Sequence, residues 1–300
     1  MLFLKNAIFR LKVKNLFILS LKPFKSIGIG VAFSPNLKAN LFEAARLSLF
    51  FNSKLVLIHV GNSSEEKKQR LSSILKPFEK ENLSYDIVFK TGNPVDVILT
   101  TSEEEKIDLL VLGALQREGF LKYYLGSIAR KITRRSKCSI LLLIKPSVER
   151  VRCEHIVVNG LKDPRTEQTI TTAFYVAKQL EAEKITIVEE IKKEAIAIHI
   201  DDNKSLRKAS IIKERIKLRE NFRVNQIISH IPETYTSNIS IKLQAIFGKQ
   251  GYSIGHYAQI TRADLLVMNA PKKMTFWDRL FPHDIEHILT ELPTDVLILQ

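Results

Sequence analysis

Three hundred residues, 45% of them hydrophobic and 26% charged, make an ordinary globular composition with room for one large domain or two of typical size, which excludes disorder, collagen and coiled coil. The formal charge of +14 is unevenly placed: six cations and no acid stand in residues 1–25, which leaves +8 over the rest of the chain. No basic cluster interleaved with aromatics stands in that remainder, so nucleic acid is not an expected partner.

Residues 1–25 read as a basic and apolar extension ending in Lys22-Pro23-Phe24-Lys25. Its longest uncharged apolar stretch, Asn15 to Leu21, is far short of the roughly 18 to 20 residues of a spanning helix. A secretory signal, a membrane-surface helix built on Leu2, Phe3, Ile8, Phe9, Leu11, Leu16 and Phe17, and a plain extension are the three readings of it. From Ser26 onward short apolar runs alternate with longer amphipathic stretches, the pattern of strands separated by crossover helices. The predicted order is strand 27–33, helix 37–51, strand 55–60, helix 64–81, strand 85–90, helix 94–106, strand 108–113, helix 126–136 and strand 139–144. Runs such as Leu109-Leu110-Val111-Leu112 and Ile140 to Ile144 are apolar on both faces, as central strands of a parallel sheet are. Five strands and four helices make one doubly wound unit. The two cysteines, Cys138 and Cys153, cannot build a disulfide framework or a paired CxxC metal site and suit a reducing cytoplasm.

The pattern then repeats. Asp108 to Gly113 recurs as Asp264 to Asn269, and Ile140 to Leu143 recurs as Val296 to Leu299, both displaced by 156 residues. An equal offset across two strands and the helix between them predicts one domain used twice, 26–147 and 153–300, joined near Pro146 to Arg152. Strands are expected at 154–159, 184–188, 240–247, 264–269 and 296–300, with a helix-rich insertion between Lys204 and Ile231 and a loop from Pro232 to Asn238. Unpaired apolar edge strands are hazardous, so the final strands 139–144 and 296–300 are expected to pair with each other, making one chain its own pseudo-dimer, or with another copy in a homodimer.

Ligands of open α/β sheets bind outside the carboxyl ends of the strands. The segment there is Gly113 to Ser127, followed by a helix whose start, Gly126-Ser127, offers free N–H groups and a hydroxyl to a phosphate. The plainer reading is that Ser127 caps the helix and both glycines serve the loop.

These residues resemble the universal stress protein family, whose domain opens with Val-Asp-Phe-Ser, ends its second strand in His-Val and follows its fourth with Gly-x2-Gly-x9-Gly-Ser. Here those places hold Val31-Ala32-Phe33-Ser34, His59-Val60 and Gly113-x2-Gln116-x9-Gly126-Ser127, and Cys138-Ser139 is similar to the family's Cys-Pro before the last strand. The resemblance covers 26–144 well and 154–300 loosely. It implies an α/β architecture of two doubly wound five-stranded parallel-sheet domains of the adenine nucleotide alpha hydrolase-like type, acting in stress response as a binding or regulatory module. It also implies that ATP or another adenine nucleotide would meet Ala32, Phe33, Ser34, Val60, Gly113, Gln116, Gly126, Ser127 and Ile128. Two departures matter: Ala32 stands where the family has Asp, and Gln116 where it has Gly. Losing the acid removes a polar contact worth about 1 kcal/mol, or about 3 if charged, and replacing the glycine restricts the backbone.

The second copy has Asn269, Lys272, Pro282 and His283 at the matching places, so no phosphate-cradling glycine remains and no nucleotide is expected there. His283 and His287 share a helix face as metal ligands can, although a helix start with Asp284 and Glu286 in its first turn explains the same residues. Phe276, Trp277, Leu280 and Phe281 are expected to pack that loop onto the sheet or the other domain. Ser34 and Ser127 lack a His and Asp at interpretable spacing, and Glu189-Glu190 and Asp201-Asp202 read as solvated surface. Two alternatives stand beside a nucleotide-binding module with a protein partner: a nucleotide-independent interaction module, and a weak ATP-hydrolysing enzyme using the Gly126-Ser127 loop.

Overall fold

The computed structural model describes residues 23–116, 123–196, 202–248, 252–270, 288–289 and 291–300. The first half runs β1 (Ser26–Val31), α1 (Leu37–Phe51), β2 (Lys54–Val60), α2 (Glu65–Leu75), a 3-10 turn (Lys76–Glu81), β3 (Tyr85–Lys90), α3 (Pro94–Glu104), β4 (Leu109–Gly113), β5 (Leu115–Gln116), β6 (Tyr123–Tyr124), α4 (Ser127–Arg135) and β7 (Ser139–Leu143). The second half runs β8 (His155–Asn159), α5 (Thr166–Leu180), β9 (Lys184–Lys192), a 3-10 turn (Lys193–Ile196), α6 (Asn203–Ile228), α7 (Glu233–Thr236), β10 (Ser240–Gly248), α8 (Tyr252–Ile260), β11 (Leu265–Asn269) and β12 (Asp295–Leu299).

Among the described residues the long strands form one ten-stranded sheet in the order β10-β9-β8-β11-β12-β7-β4-β1-β2-β3. Each half is parallel and has the order 3-2-1-4-5. The halves meet where β7 and β12 pair antiparallel, Leu142 opposite Val296, Leu141 opposite Leu297 and Ile140 opposite Ile298. The strands are apolar on both faces because both faces are covered. Leu109 and Val111 belong to the core under α1, α2, α5 and α6, while Leu110 and Leu112 belong to the core under α3, α4 and α8. Fully burying one such leucine stabilises the fold by about 1.5–3 kcal/mol.

Local chemistry sets the helix limits. Asn93 accepts the Val95 N–H and Pro94 opens α3 with its ring already at a helical φ. Pro77 lacks the N–H a helix interior needs, so the helix expected over 64–81 is instead α2 followed by a 3-10 turn. The insertion is a single 26-residue helix, α6, begun by an Asp202–Ser205 capping box. The loop expected from Pro232 to Asn238 contains the one-turn helix α7. Phe24, placed in the extension by its sequence, is 2% exposed and packs on Phe51, with ring centroids 5.3 Å apart. Residues 1–22 and 271–287, which hold the basic extension, Lys272, the aromatic stretch, His283 and His287, lie outside the described residues. Among the described residues no helix is long and apolar enough to cross a membrane.

Candidate functional site

The register brings the carboxyl ends of three adjacent strands together. Val31 lies opposite His59 where β1 meets β2, and β4 lies on the other side of β1, so Ala32, Val60 and Gly113 share one end of the sheet. Connections leave β1 toward β2 and return at β4, which makes this the topological switch point of the half. The chain turns sharply after β1: the Ser34 N–H reaches the Ala32 carbonyl at 2.8 Å and the Leu37 N–H reaches Ser34 at 3.1 Å. Ala32 and Ser34 are exposed, while Phe33 folds back against the core. Its ring meets His59 edge-on, with centroids 5.0 Å apart, and the Arg70 guanidinium lies 5.3 Å from its centre. The His59 Nδ1 is 3.0 Å from the Val31 carbonyl oxygen, which fixes the imidazole beside the strand end. Gly113 ends β4 in the open, and a Cβ there would stand 3.4 Å from the Asn40 Oδ1. That oxygen is buried and has no hydrogen-bond partner among the described residues.

The segment after β4 is less open than a phosphate loop made of glycines. Leu115 and Gln116 pair antiparallel with Tyr124 and Tyr123, and Leu115, half-exposed, leans over Gly126: a Cβ on that glycine would meet the Leu115 Cδ1 at 2.9 Å. Gly126 rather than Ser127 is the N-cap of α4, and no side chain caps that helix. The reading of Ser127 as a cap is therefore corrected: it is exposed on the first turn, as is Ile128, which leaves the early amides of α4 without a side-chain acceptor. The helix itself is basic, and Arg130 donates to the Leu289 carbonyl across the seam at 3.3 Å. Leu125 N–H likewise reaches Leu289, and Leu292 N–H reaches Tyr123, so this segment is held against the second half.

Residues 23–143 match the model of the universal stress protein family. These residues form a domain of the universal stress protein family. A universal stress protein of Methanothermobacter thermautotrophicus is 33% identical over 86 residues, 26% of this chain and 58% of that protein. The chain spans about half the length of the curated relatives it matches. Over the whole length the fold is similar to a functionally unknown protein of Pseudomonas aeruginosa, with TM-score 0.67, 16% identity and 93% of both chains covered. It is also similar to a universal stress protein of Archaeoglobus fulgidus, with TM-score 0.62, 15% identity, 92% of this chain and 98% of that one.

Both halves share the universal stress protein fold, so the register assigns equivalents. Ile27 lies between Leu55 and Leu109 as Ile156 lies between Ile185 and Leu265. Four residues further along, Val31, His59 and Gly113 correspond to Gly160, Glu189 and Asn269, and Val60 to Glu190. Asn40, fourth in α1, corresponds to Thr169, fourth in α5. The second half fills the place that the first leaves open: the Thr169 hydroxyl donates to the Asn269 Oδ1. Glu189 and Glu190, expected on the solvated surface, are 3% and 4% exposed. They are tolerated inside because Arg223 of α6 reaches the Glu189 Oε1 at 2.9 Å and the Gly160 carbonyl at 2.5 Å, while the Glu190 Oε1 accepts the Ile254 N–H at the start of α8 at 2.7 Å. Burial pushes the Glu189 carboxyl up to about 7 against the pull of Arg223.

Asn40, Arg70 and Arg223 escaped the sequence reading. Asn40 is one of several polar residues along α1, beside Lys38, Glu43, Arg46 and Ser48, and Arg223 stands 34 residues from the glutamate it pairs with, so neither carries a local signal. Among the described residues no group of three or more His, Cys, Asp and Glu is placed to hold a metal ion.

Proposed function

We propose that this chain is a tandem universal stress protein, two domains at 26–147 and 153–300, in which the first binds an adenine nucleotide, ATP being the expected form, and the second serves as its built-in pseudo-dimer partner. The observation that carries the reading is the contrast at the fourth strand. In the first half Gly113 faces a buried acceptor on Asn40 that has no partner among the described residues, whereas in the second half the Thr169 hydroxyl donates to Asn269. A ligand amine or hydroxyl would supply the donor Asn40 lacks, and the uncapped start of α4 offers N–H groups to its phosphates. Arg70 adds a cation beside Phe33. The family resemblance supplies the adenine class. The module would act in the cytoplasm in stress response by passing nucleotide occupancy to a protein partner.

A calorimetric titration with ATP tests it. The reading expects one site per chain with a micromolar dissociation constant, near −8 kcal/mol at about 1 µM. Gly126→Asp should keep the fold, since φ is −62° there, Asp is a favoured N-cap and the neighbouring Leu115 end is free to shift. The new carboxylate would repel phosphate, so binding should weaken at least about tenfold. Two sites, or an undiminished affinity in that variant, would overturn the assignment. A second reading, a docking module without nucleotide, is favoured by Leu115 leaning over Gly126 and by Ala32 offering no acid; absence of any ATP binding would select it.

A further inference from the structure

A cavity of about 450 Å3 lies at the seam between the halves, over β4, β7, β12 and β11 and beneath the connection from Ile144 to Cys153. This is well within the range of small-molecule sites, about 300–1,000 Å3. It is distinct from the strand-end site: Leu109, Leu141, Leu143 and Leu297 form its floor, and Leu47 and Val176 form walls from α1 and α5. The connection that roofs it is pinned in place. Arg46 donates to the Ser147 and Val148 carbonyls, Glu43 accepts the Ser147 N–H at 3.1 Å, and Arg150 pairs with Glu181 at 2.8 Å while lying on the Phe50 ring.

The charges around the cavity divide into committed and free. Arg46, Glu43 and Arg150 are used in holding the roof. Asp264 accepts the Glu154 and His155 N–H groups at 2.8 and 2.9 Å. Lys145 lies over the Tyr123 ring. Arg152 and Arg262 line the mouth, are exposed, and have no ion-pair partner among the described residues. Asp295, on the inner wall, gives one oxygen to the Ile144 N–H at 2.8 Å, and burial raises its carboxyl to about 7 so that it carries less opposing charge than an ordinary aspartate. An apolar chamber with two uncommitted guanidiniums at its opening selects a molecule that is apolar at one end and anionic at the other.

We propose that the seam cavity binds an amphiphilic organic anion of medium chain length, its tail against the leucine floor and its acidic head between Arg152 and Arg262. The proposal is independent of nucleotide binding, and ATP titration is silent on it.

Decanoate is the probe, with decan-1-ol keeping the tail without the charge and inorganic phosphate keeping charge without the tail. Calorimetry on the full chain should show saturable decanoate binding, no phosphate binding in the same concentration range, and a loss of about tenfold for decanoate but not for decan-1-ol in Arg152→Ala/Arg262→Ala. Leu143→Trp should block the chamber. Because that variant could fold poorly, the wild-type chain carries a second readout: Cys153 lines the cavity and Cys138 does not. Saturating decanoate should slow maleimide modification of Cys153 at least about fivefold while leaving Cys138 unchanged, the expected result for a thiol covered by ligand. No saturable decanoate binding, binding indifferent to the two arginines, or equal effects on both cysteines would overturn the proposal.

Discussion

Arg223→Ala is expected to destabilise the protein by about 3–5 kcal/mol at neutral pH, the usual cost of leaving a buried charge without its partner. Arg223 serves three acceptors at once: the Glu189 Oε1 and the Glu220 Oε2, each at 2.9 Å, and the Gly160 carbonyl. Truncation would leave two carboxylates close together inside, and the Glu189 Oε2 already lacks a partner among the described residues. The loss should shrink at pH 5, because Glu189 can then take a proton, its carboxyl being raised to about 7 even with the guanidinium beside it. Arg223→Ala/Glu189→Gln should recover most of the stability, since the neutral amide no longer needs a cation. Urea unfolding at pH 5 and pH 7.5 checks this. A loss below about 1 kcal/mol, or one that ignores pH, would mean that Arg223 is only a surface ornament of α6.

Stability should also fall as pH rises from about 4 to about 7, and Asp295 should carry a large part of the fall. Burial raises its carboxyl to about 7, Glu43 and Asp264 push in the same direction, and the hydrogen bond from Ile144 N–H opposes them. The folded state therefore holds a proton across a window in which the unfolded chain, with an ordinary aspartate near 3.8, has released it. By linkage the contribution is complete below the unfolded value and is lost as pH climbs through the folded one. Three pH units correspond to about 4 kcal/mol, an upper bound because the Asp295 side chain is only part-buried and solvent screens it. Asp295→Asn keeps the Ile144 acceptor and cannot titrate. The stability gap between wild type and Asp295→Asn should change by up to about 4 kcal/mol between pH 4 and pH 7.5, the wild type losing more; parallel curves would contradict the assignment.

How much of this was legible in the sequence depended on whether a residue's role is set by its neighbours along the chain. The runs at β4 and β7 read as central strands because both of their faces have to be apolar, and their sequences recur 156 residues further on at β11 and β12. Helix α1 was readable to the residue because its apolar stripe is continuous from Leu37 to Phe51. Helices α5 and α8 have no such plain stripe: α5 buries nine of its fifteen residues, but three of them are threonines, so its inward face does not read as apolar. Glu189 and Glu190 looked like solvated surface because their partners, Arg223 and the start of α8, are brought to them only by folding. The switch-point position of Ala32, Val60 and Gly113 followed from strand order and the family pattern. The hairpin that lays Leu115 over Gly126 and the open acceptor of Asn40 are tertiary facts with no local signature.

The two halves share a fold, and among the described residues the strand end is open beside Gly113 in the first and occupied by Arg223 and Thr169 in the second. A crystal of the full chain soaked with ATP should show nucleotide density beside Gly113 and the start of α4, with none between Glu189 and Asn269. Density in the second half, or in neither, would contradict that expectation.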